Sequence, residues 1–153
     1  MAWAVDTNIL KHLTQPGTPE HAKAKRAVEL LWTRGERPVT LAQCMIEFWG
    51  FLTRPSLRDA AAIPNPGLGL SVAKAEIELQ KVDRLFGCYA DTAVLYAEWR
   101  RIVVLYEVKG KQVHDAHIAA AAHMHGISHL LTYNVTDFTR YSAFLTAVRP
   151  EDV

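Results

Sequence analysis

Residues 113–138, VHDAHIAAAAHMHGISHLLTYNVTDF, carry the reading on which the fold turns. Val113 to His125 is rich in alanine, the strongest helix former, and Gly126 stands where a helix normally ends. The next residues, Ile127 to Tyr133, hold the apolar pairs of a short buried strand. Asn134 to Tyr141 then reads as a loop or short helix. A helix delivering the chain into a buried strand is half of a parallel βαβ unit, in which the acidic or amide groups past the strand lie at its carboxyl end.

The same grammar extends outward. Ala2-Trp3-Ala4-Val5 reads as a buried strand ending at Asp6-Thr7-Asn8, residues that start helices. Ile9, Leu10 and Leu13 begin a helix that stops before Gln15-Pro16-Gly17. Thr18-Pro19-Glu20 opens another, running through Ala24, Ala27, Val28, Leu31 and Trp32 at spacings of three and four and closing at Arg34-Gly35-Glu36. Pro38 to Ala42 is a second strand, passing directly into a helix with Met45, Ile46, Phe48, Trp49 and Leu52. Residues 55–70, with Pro55, Pro64, Pro66, Gly67 and Gly69, form a loop. Ser71 to Leu85 is a helix with Val72, Ala75, Ile77, Leu79 and Val82 as its burial set. Phe86 to Tyr89 is a short strand, Asp91-Thr92 opens a helix through Val94, Leu95, Trp99, Ile102 and Val103, and Thr146 to Val148 is a last edge strand. Alternating strands and helices give an α/β fold with a mostly parallel sheet, expected as one domain over residues 1–153.

Bulk composition excludes several classes. Half of the 153 residues are apolar and 22% are charged, an ordinary globular mix. No apolar run approaches the roughly 20 residues of a membrane helix. The N-terminus lacks a signal-peptide layout, because Asp6 falls where the apolar region would be. The expectation is a cytoplasmic protein with no membrane partner. Net charge is +1, so a nucleic-acid partner requires local basic groups such as Lys23, Lys25 and Arg26, Arg54 and Arg58, Arg100 and Arg101, or Lys109 and Lys111. Each cluster is equally a solvated helix face. Cys44 and Cys88 are isolated and read as buried thiols.

The chemistry lies in four acids. Asp6 follows the first strand, Glu47 sits a turn or two past the second, Asp115 opens the alanine-rich helix, and Asp137 follows the strand before it, with Asn134 nearby. Taken singly, Asp6 caps a helix, Glu47 is a solvent-facing helix residue, Asp115 complements a helix dipole and Asp137 starts a turn. Taken together, they are carboxylates brought to one sheet edge, where their mutual repulsion and desolvation require a cation. Oxygen ligands of this kind suit Mg²⁺ or Mn²⁺, and such ions serve phosphodiester hydrolysis. Seven histidines raise zinc, but no HExxH and no Cys/His pair of structural-zinc spacing occurs. His114 and His117 flank Asp115 and are placed to approach the site.

Four segments, VDTNIL (5–10), EFWGFLTRP (47–55), VHDAHIAAAAHMHG (113–126) and HLLTYNVTDF (129–138), resemble in order and spacing the motifs of PIN-domain nucleases, and the last pair is similar to bacterial VapC-type toxins. The similarity spans about Ala2 to Pro150. It implies a three-layer α/β/α sandwich and a metal-dependent endoribonuclease that is the toxin of a type II toxin–antitoxin pair. Asp6, Asp115 and Asp137 are implied metal ligands for Mg²⁺ or Mn²⁺, joined by Glu47 as the helix acid. Asn134 stands where many members have a third aspartate, which removes a charge. Thr7, Asn8 and Thr132 would orient the ligands or water. Arg54, Arg58 and His114 are RNA-binding candidates. The resemblance also implies a homodimer and a cognate antitoxin, with DNA bound only through the antitoxin. Two other readings compete: a catalytically silent PIN-fold RNA-binding module, and an aspartate-nucleophile phosphatase, which would want a second Asp where Asn8 stands.

Overall fold

The computed structural model describes residues 1–59 and 64–153. Part of the loop expected over 55–70 therefore lies outside the described residues. Strands β1 (Trp3–Val5), β2 (Thr40–Leu41), β3 (Cys88–Tyr89), β4 (His129–Leu131) and β5 (Thr146–Val148) alternate with helices α1 (Thr7–Leu13), α2 (Pro19–Thr33), α3 (Ala42–Thr53), α4 (Val72–Phe86), α5 (Leu95–Leu105), α6 (Val113–Met124) and α7 (Val135–Phe138). All strand pairs are parallel: β1 lies on β4, β4 on β5 and β2 on β3. A bridge between Ala4 and Val39 lays the β2–β3 pair beside β1, giving the order β3-β2-β1-β4-β5. The chain leaves β1 in one direction for β2 and β3, then returns to its other side for β4 and β5. The order thus reverses between β1 and β4, the place where α/β sheets bind ligands.

Two apolar cores lie on opposite sides of this sheet. Trp3, Val5 and Leu131 pack with residues of α1, α2, α3 and α4. Ala4, Leu41 and Leu130 pack with α5, α6 and the Phe138–Tyr141 segment. Strand side chains alternate between faces, so a sheet covered on both needs strands with no polar face. That is why WAV and HLL read as short apolar runs. Ala116 and Ala119 to Ala122 are all buried, and their small size lets α6 lie close on the sheet.

Several expectations are corrected. In α4 the buried set is Ala75, Val82 and Phe86, whereas Val72 is 69% and Ile77 53% exposed. Ile77 is two residues, or about 200°, from Ala75, so it points away from the buried stripe. The helix expected from Asp91-Thr92 begins at Leu95. Asp91 instead faces His117, with Nε2 3.4 Å from its carboxylate. The strand expected over 127–133 is paired only over His129–Leu131. Cys44 is buried as expected, but Cys88 is exposed on the edge strand. No helix of the described residues is long and apolar enough to cross a membrane.

Candidate functional site

Register fixes the centre of the site. Val5 pairs with Leu131, so Asp6 and Thr132 each stand one residue past the last strand pair, on adjacent strands. The Asp6 N–H still donates to the Leu131 carbonyl at 3.0 Å, and the Thr132 N–H to Val148 at 2.9 Å. Asp6 is also the N-cap of α1 and is only 5% exposed.

Both carboxylate oxygens of Asp6 are held. The Thr7 N–H donates to Oδ1 at 2.7 Å. Asn8 Nδ2 donates to Oδ2 at 2.8 Å, and the Thr132 hydroxyl donates to the same oxygen at 2.6 Å. Thr132 in turn accepts from Asn8 Nδ2 and the Asn134 N–H, both at 3.0 Å. Asn8 Oδ1 accepts from the Tyr133 N–H at 3.0 Å, stapling the start of α1 to the end of β4. Thr7, Asn8 and Thr132 thus fix the Asp6 side chain between the two strand ends.

Glu47 is fixed from a third element. The Thr7 hydroxyl lies 3.1 Å from Glu47 Oε2, and Gln43 Nε2 donates to Oε1 at 2.9 Å. The same Thr7 hydroxyl is 3.2 Å from the Cys44 carbonyl, so one hydrogen is shared between two acceptors. Asp115 sits half-buried in the first turn of α6, Asp137 is exposed in α7, and Asn134 caps α7 through its backbone position without a side-chain cap bond.

Electrostatics tie the four acids together. Burial lifts the Asp6 carboxyl to about 6, against the opposing hydrogen bonds from Thr132 and Thr7, and the Glu47 charge adds to the rise. Burial also lifts Asp115 to about 6, with the charges of Asp137, Asp6 and Glu47 pushing the same way and His114 pulling back. These are mutually repelling carboxylates at the switch point of the sheet, and removing a proton from either Asp6 or Asp115 raises the cost of charging the rest. The donors are all oxygen, which fits a hard divalent cation. Among the described residues, no three Asp, Glu, His or Cys side chains close into a cage for a metal ion.

The expected site residues therefore divide. Asp6, Thr7, Asn8, Glu47 and Thr132 form one bonded network, Asp115 and Asp137 join it through charge, and the Asn134 N–H joins through Thr132. His114 is near Asp115, but His117 faces Asp91 and is not part of the cluster. Arg58 is exposed in the segment after α3. Two participants escaped sequence reasoning. Gln43 lies four residues before Glu47, the spacing that lets an amide reach a carboxylate along a helix. Lys11 lies one turn after Thr7 and feels the charges of both Glu47 and Asp6.

The PIN domain family model matches residues 4–143. The chain belongs to the PIN domain family. The PIN fold also relates it to solved structures. VapBC2 from Rickettsia felis, bound to a DNA fragment from its promoter, matches with a TM-score of 0.69 at 14% identity, covering 97% of this chain and 98% of that one. VapC20 of Mycobacterium tuberculosis, a sarcin-ricin loop cleaving toxin, matches at 0.63 and 18% identity, covering 95% and 98%. A toxin–antitoxin complex from Klebsiella pneumoniae matches at 0.60 and 20% identity, covering 98% of each chain. At these identities the likeness speaks for the fold. No curated protein sequence matches the chain.

Proposed function

We propose that this PIN domain is a Mg²⁺- or Mn²⁺-dependent endoribonuclease and the toxin of a toxin–antitoxin pair. The observation that carries the reading is the meeting of four acids at the switch point between β1 and β4: Asp6 held by Thr7, Asn8 and Thr132, Glu47 held by the same Thr7, and Asp115 and Asp137 close enough for their charges to act on one another. Mutually repelling carboxylates gathered in such a place mark a candidate ligand site.

In this reading Asp6, Asp115 and Asp137 would hold the metal, directly or through water, and Asn134 would add an uncharged oxygen. Such an ion would supply the acidification of a water and the offset of charge on the scissile phosphate. Glu47, steadied by Gln43 and Thr7, orients the attacking water and accepts its proton. Thr132 and Asn8 keep Asp6 from rotating. Arg54, Arg58 and His114 hold the flanking RNA backbone. An antitoxin partner belongs to the same reading, supported by related folds solved as toxin–antitoxin complexes, and a homodimer is proposed with it. An aspartate-nucleophile phosphatase is disfavoured, since the place of its second carboxylate is taken by the Asn8 amide, which donates to Asp6.

The test is cleavage of a panel of single-stranded RNAs by the purified chain in Mg²⁺, in Mn²⁺ and in EDTA, beside Asp6→Asn and Asp115→Asn. Metal-dependent cleavage lost in both variants is the expected result. A folded, antitoxin-free protein that binds RNA without cleaving it under either metal would overturn the nuclease reading in favour of a silent RNA-binding module.

A further inference from the structure

The acid cluster has a counterpart of opposite sign. Glu47 and Phe51 are four residues apart on α3, which places them on one stripe of that helix, and Arg54 is its C-cap residue, three positions after Phe51. Lys11, from α1, lies over the Phe51 ring with Nζ 5.3 Å from its centroid. Arg54 folds back along its helix, since a Cβ added to Gly50 would lie 3.8 Å from its Nη1. Two cations from different helices thus meet beside Glu47, at the rim of the carboxylates.

Neither has an anion of its own. Lys11 and Arg54 make no ion pair within 4 Å among the described residues. Arg54 Nε is buried without a hydrogen-bond partner. Burial and the Arg54 charge both push the Lys11 ammonium below its usual range, while Glu47 and Asp6 pull it back without touching it. Holding two half-buried cations together is unfavourable unless an anion joins them.

The mount is rigid as well. The last carbonyls of α3 are capped by the returning chain: Leu68 N–H donates to Phe51 at 3.0 Å, Leu70 to Leu52 at 2.9 Å and Gly69 to Arg54 at 2.8 Å. Gly67 permits this approach, because a Cβ there would meet the Phe51 carbonyl oxygen at 2.3 Å. Arg54 is therefore fixed at its backbone, and its guanidinium makes no ion pair among the described residues.

We propose that Lys11 and Arg54 form a clamp for a backbone phosphate of single-stranded RNA, adjacent to the phosphate held at the carboxylates. The proposal rests on the nuclease reading for its ligand. Arginine supplies a planar fork and lysine a point charge, a combination suited to two oxygens of one phosphodiester. The carboxylates then receive the metal and the clamp receives the chain, which sets which phosphate sits at the metal.

Fluorescence anisotropy of a labelled single-stranded RNA in EDTA, across a salt series, tests the clamp without cleavage. Lys11→Met and Arg54→Met should each weaken binding about three- to tenfold and lower the slope of log affinity against log salt by about 0.7, the value for one lost phosphate contact on a single strand. Lys74→Met, on the exposed start of α4, should change neither. Circular dichroism confirms that each variant is folded, and calorimetric Mn²⁺ affinity should be retained. Equal slopes for all four proteins would overturn the clamp. So would a Lys11→Met variant that loses thermal stability at pH 8 with its slope intact, which is the mark of an internal counter-ion. Cleavage of the same RNA in Mn²⁺ decides the nuclease reading separately: slope losses in the two variants beside a wild type that never cleaves keep the clamp and lose the nuclease.

Discussion

Two carboxylate clusters in this molecule are treated in opposite ways. Between α5 and α6, Glu98 receives a two-pronged contact from Arg101, at 2.7 and 2.9 Å, and lies 2.8 Å from His123 Nδ1 of α6. These partners pull its carboxyl down to about 2. At the switch point, Asp6 and Asp115 rise to about 6. Glu98 is a charge the fold has satisfied, joining two helices. Asp6 is held by neutral donors alone and, like Asp115, has no cation within 4 Å among the described residues. Pairing, more than the presence of acids, separates a structural ionic cluster from a functional one.

The largest expected effect breaks the comparison by activity. Asp115→Asn should reduce RNA cleavage well beyond the roughly 100-fold seen when an outer partner of a metal ligand is removed. Glu98→Gln should leave cleavage within about twofold, because Glu98 acts on helix docking alone. Equal losses from the two substitutions would erase the distinction drawn here.

Stability against pH separates the clusters by sign. Asp6 titrates near 6 when folded and near 3.8 in an unfolded chain, so the folded state holds its proton more tightly. Its contribution is fully present below about pH 4 and is lost as pH rises through 6, amounting to about 3 kcal/mol at 1.36 kcal/mol per unit. Glu98 runs the other way: its contribution is present above 4.5 and lost as pH falls towards 2. Thermal melts of metal-free wild type and Asp6→Asn should diverge between pH 4 and 6.5, with the variant gaining relative stability at the higher pH. Saturating Mg²⁺ should narrow the gap, since a cation favours the charged carboxylate. A difference independent of both pH and Mg²⁺ would show that Asp6 carries no such strain.

A smaller effect follows from the satisfied cluster. Glu98→Gln should cost about 1 kcal/mol at pH 7, the upper end for an exposed ion pair, and nothing near pH 2, where Glu98 is half protonated or more. Thermal melts at the two pH values read this directly.

Much of this was legible in the sequence because it depends on local pattern. β1 and the Leu130–Leu131 end of β4 are apolar and followed by polar residues, the composition favoured by a parallel sheet covered on both faces. Asp6, Asp115 and Asp137 could be marked because each follows a strand or opens a helix. What escaped was set by tertiary contact. Lys11 reads as an ordinary basic residue near the end of α1 until Phe51 and Arg54 arrive from α3. Asp91-Thr92 has the chemistry of a helix start, but His117 of α6 draws the Asp91 side chain aside. His114 and His117 both lie within two residues of Asp115, yet the charge of His114 acts on Asp115 while His117 faces Asp91.

Asn134 offers the mildest way to sharpen the comparison. Its backbone N–H holds the Thr132 hydroxyl, its side chain makes no cap bond to α7, and it is exposed, so Asn134→Asp alters charge without breaking a recorded contact. Asp137 already raises Asp115 by repulsion, and one more carboxylate beside them should raise it further. The metal-free variant should therefore melt slightly lower at pH 8, while Mn²⁺ affinity by calorimetry should rise about three- to tenfold, as added ligand charge strengthens a divalent site. The two changes must come together if Asn134 belongs to the carboxylate cluster. An unchanged Mn²⁺ affinity would place position 134 outside it, leaving the backbone N–H to Thr132 as its whole contribution.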